Sequence, residues 1–514
     1  MNQSSFWARA ARAPDHVAII EDDGTEHTAG AVLGACNQVV HGLRALGLGK
    51  GDTVACVMPN SAAVLEIALA AGQAGMYITP VNHHLTASEI GFILRDCAAK
   101  AVVCGERYAD ATRAGLEETT VPAEARFVLG AADGFRPYGE LKAGQPTSTP
   151  SDRFGGFTMT YTSGTTGRPR GVRRPAFDID PDVLAASFTG FLQMFGIAPD
   201  GVNLVVAPLY HTAVINWCLY SLHFGHTAVV MDGWDPEGAL RRVEAYGVTI
   251  SHMVPTHFIR MLALPHEVRT KYALSSLTHL VHGAAPCPIE IKHRMLRWAG
   301  PVVYEYYAAS EGGGTLATPE QWLAKPGTVG PPWPISTIRI LDDDAQPVPV
   351  GEVGAVWIRM GEHTFEYHGD KEKTERAWND GFFTVGDAGY LDEDGYLFLC
   401  DRKADMIISG GVNIYPAEIE GVLIEHPSVA DCAVFGIPDD DWGEQVKAVI
   451  ELPAGEAATP AVAESILSFC RERLASYKCP RSVDFVSALP RDPNGKLYKR
   501  RLRDPYWAGR TRAI

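Results

Sequence analysis

The sequence predicts an α/β protein with a large N-terminal body of parallel-type sheets and helices, a small β-rich subdomain and a small α+β C-terminal domain. Three observations point there. Short apolar runs alternate with helical patterns over the first hundred residues, period-two runs take over from about residue 326, and the texture shifts again after Asp401. Residues 53–59 (TVACVMP) read as a buried strand, and 61–75 as an Ala/Leu-rich helix. Residues 76–81 are strand again, 86–96 a helix opened by a Thr86/Glu89 capping box, and 101–104 a strand. Such alternation implies parallel strands joined by crossover helices, and it recurs around 202–207, 227–231 and 277–281. Residues 337–341 and 354–359 have strand periodicity, and residues 392–395 (DEDG) form a hairpin turn between Tyr390 and Tyr396. Beyond Asp401, strands are expected near 429–436 and 445–451, with helices near 416–425 and 460–475. The expected domains are residues 1–402, with the β-rich part at about 326–402, and 403–514.

Composition removes several function classes. The 514 residues carry 45 Lys plus Arg against 61 Asp plus Glu, a formal charge of −16, so neither nucleic acid nor an anionic membrane surface is the expected partner. Ten cysteines occur singly with no C-x-x-C pair, and H-E-x-x-H is absent, so they read as small buried hydrophobes in a reducing, cytoplasmic setting. The most apolar stretch, residues 62–81, is broken by Glu66, Gln73 and glycines and is not expected to span a bilayer. The first sixteen residues have no apolar run after Arg12 and do not read as a signal peptide.

Residues 161–172 read YTSGTTGRPRGV. Thr162, Ser163, Gly164, Thr165, Thr166 and Gly167 concentrate hydroxyl and backbone N–H donors where glycine permits close approach, as a phosphate-holding loop requires. It is no Walker loop, and by composition alone a Ser/Thr/Gly surface linker would serve equally. The string TSGTTGxPxG, however, resembles the signature of the adenylate-forming superfamily, the acyl-CoA synthetases and their relatives. The resemblance runs from about residue 16 to 505. It implies that these residues hold the β- and γ-phosphates of ATP. Arg170 stands where the family usually has lysine, which replaces a point charge by a planar fork.

The remaining motifs follow in family order. In residues 207–212 (APLYHT), His211 resembles the residue bordering the acyl pocket, although a lone histidine is otherwise an ordinary core residue. Gly283, Ala284, Ala285 and Pro286 resemble the turn along the adenine. Residues 307–311 (YAASE) resemble Tyr-Gly-x-Thr-Glu, with Ala308 for glycine and Ser310 for threonine. The match implies that Tyr307 stacks on adenine, Ser310 meets phosphate or carboxylate, and Glu311 ligates Mg2+, a hard-oxygen task. Taken alone, Glu311 would be a solvated acid. Asp387 would accept the ribose hydroxyls, with Arg402 reaching ribose or phosphate, and Ala404 stands at the family's hinge. Ser409, Gly410, Gly411 and Tyr415, in residues 409–416 (SGGVNIYP), resemble the segment lining the pantetheine tunnel. Lys496, in residues 489–500 (LPRDPNGKLYKR), matches the catalytic lysine that bridges carboxylate and α-phosphate. On its own it belongs to a basic run with Lys499, Arg500, Arg501 and Arg503 that reads as a solvated face.

The resemblance therefore implies an AMP-forming carboxylate–CoA ligase with a mobile C-terminal domain, taking a small-molecule carboxylic acid, ATP, Mg2+ and coenzyme A. The alternative acceptor is a carrier protein or an amine. Acyl-pocket candidates are His211, Asn216, Trp217, His257, Gly283, Gly312, Gly313 and Gly314. Trp217 and the histidines suit an aromatic or short acid, while the glycines would leave room for a longer one. A homodimer is left open.

Overall fold

The computed structural model describes residues 5–508 apart from 163–169, 175–177, 363, 369, 403–404, 411, 492–494 and 496; the side chains of Thr162, Arg170 and Arg402 are also outside the description. The described residues divide into two compact units. The first comprises Met1–Met253, Leu264–Val281 and Glu362–Arg376, and the second Val254–Ala263, His282–Gly361 and Ala377–Ile514.

In the first unit a six-stranded, all-parallel sheet runs in the order Arg136–Pro137, Arg126–Leu129, Ala99–Gly105, Thr53–Val57, Tyr77–Pro80, Phe157–Thr158. The Thr53–Val57 strand is buried throughout, which is why it reads as a continuous apolar run rather than an alternating one. The following helix, Ala62–Ala74, starts at Ser61 and stops at Gly75, whose φ of 71° gives the left-handed C-cap. The expected capping box on helix Ala87–Asp96 is present, with Thr86 and Glu89 satisfying each other's backbone N–H. A second sheet carries Ile250–Met253, Val202–Val205, Thr227–Val230 and Val17–Ile20 in parallel, with Glu26–Thr28 antiparallel at the edge. A third, antiparallel sheet joins Thr160–Thr162, Arg170–Arg173 and Glu366–Tyr367.

The second unit is antiparallel in its β-rich part. Ser336–Leu341 pairs with Gly354–Met360, and Asp387–Leu391 with Leu397–Arg402 around the expected turn. A hairpin of Val303–Ala309 and Gly312–Ala317 was not foreseen; its glycine run hides the second strand from propensity reasoning. In the C-terminal part, Asp431–Asp439 and Gly443–Glu451 pair antiparallel, and Ser482–Val486 adds a parallel strand. Helices Pro416–Leu423 and Pro460–Arg471 cover one face, where Ile419, Leu423, Val434, Ile450, Ile466 and Cys470 form the core. The opposite face buries Ala433, Phe435, Val449 and Leu489, as period-two alternation requires.

All ten cysteines are free thiols, eight of them buried. Among the described residues, no helix is long and apolar enough to cross a membrane.

Candidate active site

The turn at residues 283–286 is shaped by contact with the neighbouring strand. A Cβ on Gly283 would lie 2.7 Å from the carbonyl oxygen of Tyr306, so only glycine lets the backbones approach. Ala284 is held at φ 65°, a left-handed conformation that costs a non-glycine residue about 1–2 kcal/mol. Such strain concentrates at ligand-binding positions. Strand Val303–Ala309 then carries Tyr307, whose hydroxyl donates to Asp387 Oδ2 at 2.7 Å. Asp387 opens strand Asp387–Leu391 and sits in register opposite Arg402. Two residues singled out as nucleotide contacts thus come together, and the backbone of a third, Arg402, pairs with one of them.

Beneath Tyr307 lies a group that sequence reasoning missed. Glu305, two positions earlier and so on the same strand face, accepts from the Lys292 ammonium at 2.7 Å, with both side chains buried. Burial pushes the Lys292 ammonium down and the Glu305 carboxyl up, each against the opposing charge of its partner. The available signal was the placement of Lys292 on the buried face of helix Ile289–Ala299, with Ile291, Met295 and Leu296.

Ser310 and Glu311 form the two-residue link of the Val303–Ala309/Gly312–Ala317 hairpin. Glu311 is only 6% exposed, which corrects the bland reading of it as a solvated acid; the tight link draws it inward. Two of the glycines after it lie against neighbouring atoms. A Cβ on Gly313 would meet Ile358 at 2.4 Å, and one on Gly314 would meet the Tyr307 carbonyl at 2.1 Å. Gly313 and Gly314 permit close strand packing. Ala308 is half-buried on the same strand. His257 is buried and its Nδ1 accepts the Val254 N–H at 3.2 Å, capping helix Pro255–Leu262.

In the first unit, Thr162 and Arg170 face each other in register on the two strands leading into and out of the glycine-rich loop, and Ser163, Gly164, Thr165, Thr166 and Gly167 lie outside the described residues. The incoming strand is pinned by Tyr161, whose hydroxyl donates to Asp96 Oδ2 at 2.5 Å and whose pKa burial pushes well up. The Thr212 hydroxyl donates to the Thr160 hydroxyl at 2.6 Å, tying the same strand to the helix that His211 N-caps. Asn60, also missed, braces the approach to His211: its amide donates to the carbonyls of Ala207 and Met231, and its oxygen accepts the Leu209 N–H at 2.7 Å. Asn216 accepts from the Thr158 hydroxyl at 3.2 Å beside a small cavity. Trp217 is 3% exposed, stacked on His252 and edge-on to Phe191 and Phe195.

In the C-terminal part, Ser409 is buried and Gly410, at φ 57°, donates its N–H to the Trp442 carbonyl at 2.8 Å. A Cβ there would strike the Trp442 ring at 2.4 Å. That indole is 49% exposed, with the Arg481 guanidinium 5.4 Å from its centroid. Tyr415 precedes helix Pro416–Leu423 and is half-buried. The basic run is not one solvated face. Lys499 bonds Glu420 at 2.8 Å; burial opposes its charge, but Glu420, Asp401 and Asp405 outweigh it and hold the ammonium charged. Arg503 is buried too. Ala404, Gly411 and Lys496 lie outside the described residues.

Comparison with known proteins decides the family. Residues 6–367 match the AMP-binding enzyme model, and residues 418–496 match the AMP-binding enzyme C-terminal domain. The chain belongs to the AMP-binding enzyme family. Feruloyl-CoA synthase of an Amycolatopsis species is 35% identical over 97% of this chain and 98% of its own. A fatty acid–[acyl-carrier-protein] ligase, ScoC of Streptomyces coeruleorubidus, is 31% identical over 93% and 91%. The crystal structure of the anthranilate CoA ligase AuaEII with anthranoyl-AMP superposes with a TM-score of 0.87 at 25% identity, covering 98% of this chain and 97% of that one. This AMP-binding enzyme is a ligase of the acyl-CoA synthetase type, and its α/β architecture is the one those relatives share.

Proposed function

We propose that this AMP-binding enzyme converts an aromatic or short carboxylic acid to its coenzyme A thioester through an acyl-adenylate. The observation that carries the reading is the hydrogen bond from Tyr307 to Asp387, with Arg402 in register opposite. An aromatic ring whose hydroxyl lies 2.7 Å from a carboxylate suits a base and the ribose hydroxyls attached to it. Ala284 and Gly283 would admit the flat base against the backbone.

The substrate carboxylate oxygen attacks the α-phosphorus of ATP, forming the mixed anhydride and releasing pyrophosphate. Lys496 would neutralise the two anionic groups as they meet, and the 162–167 loop with Arg170 would hold the leaving phosphates. Glu311 offers a hard carboxylate oxygen for the Mg2+ that accompanies ATP. In the second step the coenzyme A thiol, giving up its proton, attacks the acyl carbon and AMP leaves. Residues 403–514 act as the mobile domain, Lys496 serving the first step and the Ser409, Gly410 and Gly411 segment the second. An aromatic or short acid is favoured because Trp217 is packed among Phe191, Phe195 and His252. The free thiols accord with a cytoplasmic setting.

The test measures pyrophosphate release and thioester formation side by side across ferulate, benzoate, anthranilate, butyrate and palmitate, with and without coenzyme A. Thioester that requires coenzyme A and vanishes in Lys496→Ala supports the reading. Pyrophosphate without thioester sends the acceptor to a carrier protein, the function named for the ScoC relative. Palmitate as the best acid would overturn the substrate class.

A further inference from the structure

We propose that Arg491 is a positioning residue for the adenylation half-reaction, holding Gly495, the neighbour of Lys496. The proposal rests on Lys496 serving that half-reaction. Arg491 divides its guanidinium between two tasks. Its Nε and one terminal nitrogen donate to the two carboxylate oxygens of Asp431 at 2.6 and 2.7 Å, while the other terminal nitrogen donates to the Gly495 carbonyl at 2.7 Å. The first is a fork-to-fork pair on the rigid start of strand Asp431–Asp439; the second grips the residue next to Lys496. Both members of the pair are only 18% exposed, so water competes weakly for them.

The loop is closed at its base as well. Arg491 and Leu497 form an antiparallel bridge, and the Tyr498 N–H donates to the Pro490 carbonyl at 2.8 Å. Upstream, the Leu489 N–H donates to Glu451 on the neighbouring strand at 2.9 Å. Gly495 itself is at φ 81°, and a Cβ there would collide with the Thr256 side chain, so only glycine fits at this position. Across the loop, the Gly495 contact is made by a side chain whose other edge is locked to the sheet. Lysine cannot reproduce it, because one ammonium cannot span a carboxylate fork and a carbonyl in fixed planar geometry. An ion pair that only held the domain together would affect both half-reactions equally; a loop anchor affects the step that uses Lys496.

The experiment compares wild type, Arg491→Lys, Asp431→Asn and Lys496→Ala in two separate assays, together with thermal melting. One is acid-dependent ATP–pyrophosphate exchange with the fastest acid of the panel above; the other is thioester formation from that acid's synthetic acyl-AMP and coenzyme A. The expected result is a loss of at least ten-fold in exchange for Arg491→Lys and Asp431→Asn, with the thioester step within two-fold of wild type. Unchanged exchange, or a parallel fall in both assays, overturns the proposal. If Arg491→Lys does not fold, Asp431→Asn decides alone, since it keeps the shape and weakens the fork. Exchange retained by Lys496→Ala would overturn the reading of Lys496 and this proposal with it. Exchange lost in Lys496→Ala but kept in both other variants overturns the positioning role alone.

Discussion

The Tyr307 hydroxyl donates to Asp387 across 2.7 Å, joining strand Val303–Ala309 to the strand that starts at Asp387. A hydrogen bond to a charged group contributes about 1.5–3 kcal/mol. Its two partners are separable: Tyr307→Phe keeps the ring and loses only the donor, whereas Asp387→Asn loses the acceptor suited to two hydroxyls. Tyr307→Phe should raise KM for ATP by about 3- to 10-fold, and Asp387→Asn by about 10- to 100-fold, with KM for the acid little changed in either. Steady-state kinetics with ATP and acid varied separately would check this, and equal rises in both constants would count against a nucleotide role.

Ala284 gives the opposite kind of expectation, because its conformation is a cost. Ala284→Gly should stabilise the fold by about 1 kcal/mol, and Ala284→Val should destabilise it by more than that, since a β-branched residue tolerates the left-handed region least. Gly283→Ala has no such freedom and should abolish nucleotide binding through its clash with the Tyr306 carbonyl. Chemical denaturation together with AMP titration separates the three.

The exposed Trp442 indole beside Gly410, with Arg481 at its face, offers a stacking surface and a cation. Stacking on a base contributes about 1–3 kcal/mol. Trp442→Ala should therefore raise KM for coenzyme A about 5-fold or more while leaving ATP–pyrophosphate exchange unchanged. A matching fall in exchange would place the tryptophan outside coenzyme A recognition.

How much of this was legible depended on whether local chemistry and tertiary packing agreed. The Thr53–Val57 strand and helix Ala62–Ala74 were readable because an unbroken apolar run, a serine start and a glycine stop all point the same way. Strand Ser482–Val486 was not, although Val483 and Phe485 alternate with Ser482 and Asp484 and pack on the helix-covered core, because a five-residue pattern is too short to stand out on periodicity alone. The candidate nucleotide residues were picked out by motif order, but the Tyr307–Asp387 contact was not, since it is made between positions 80 apart. Lys499 read as solvated because charge predicts exposure until a partner such as Glu420 is folded against it. The glycines after Glu311 stayed ambiguous because the sequence does not say whether a missing side chain leaves space or admits a neighbour; at Gly313 and Gly314 a neighbour is admitted.

Lys292 and Glu305 allow a test of what a buried pair contributes. The Lys292 side chain is 0% exposed and that of Glu305 9%. Lys292→Met leaves a carboxylate without its counter-charge and should cost about 3–5 kcal/mol, while Lys292→Met with Glu305→Leu should recover most of that loss. If the pair instead sets the height of Tyr307, the double variant would regain stability but keep a raised KM for ATP. Urea unfolding and ATP kinetics on the same two variants distinguish these outcomes.

Acid sensitivity is expected from buried neutral histidines. His223 accepts the Phe6 N–H at Nδ1, 3.0 Å away, and burial pushes its pKa down to about 3, from 6.5. His252 is lowered to about 3 by burial as well. A folded-state value below the unfolded one means that the unfolded chain binds more protons, so stability rises with pH. The contribution is complete above about pH 6.5 and is lost as pH falls towards 3, at up to about 1.4 kcal/mol per pH unit for each histidine. Melting temperature should therefore drop between pH 7.5 and 5.5 at constant ionic strength. In His223→Gln, which keeps a neutral polar group and cannot take up the proton, the drop should be smaller even though the variant starts lower. Equal drops in the two proteins would show that other groups govern the acid limb.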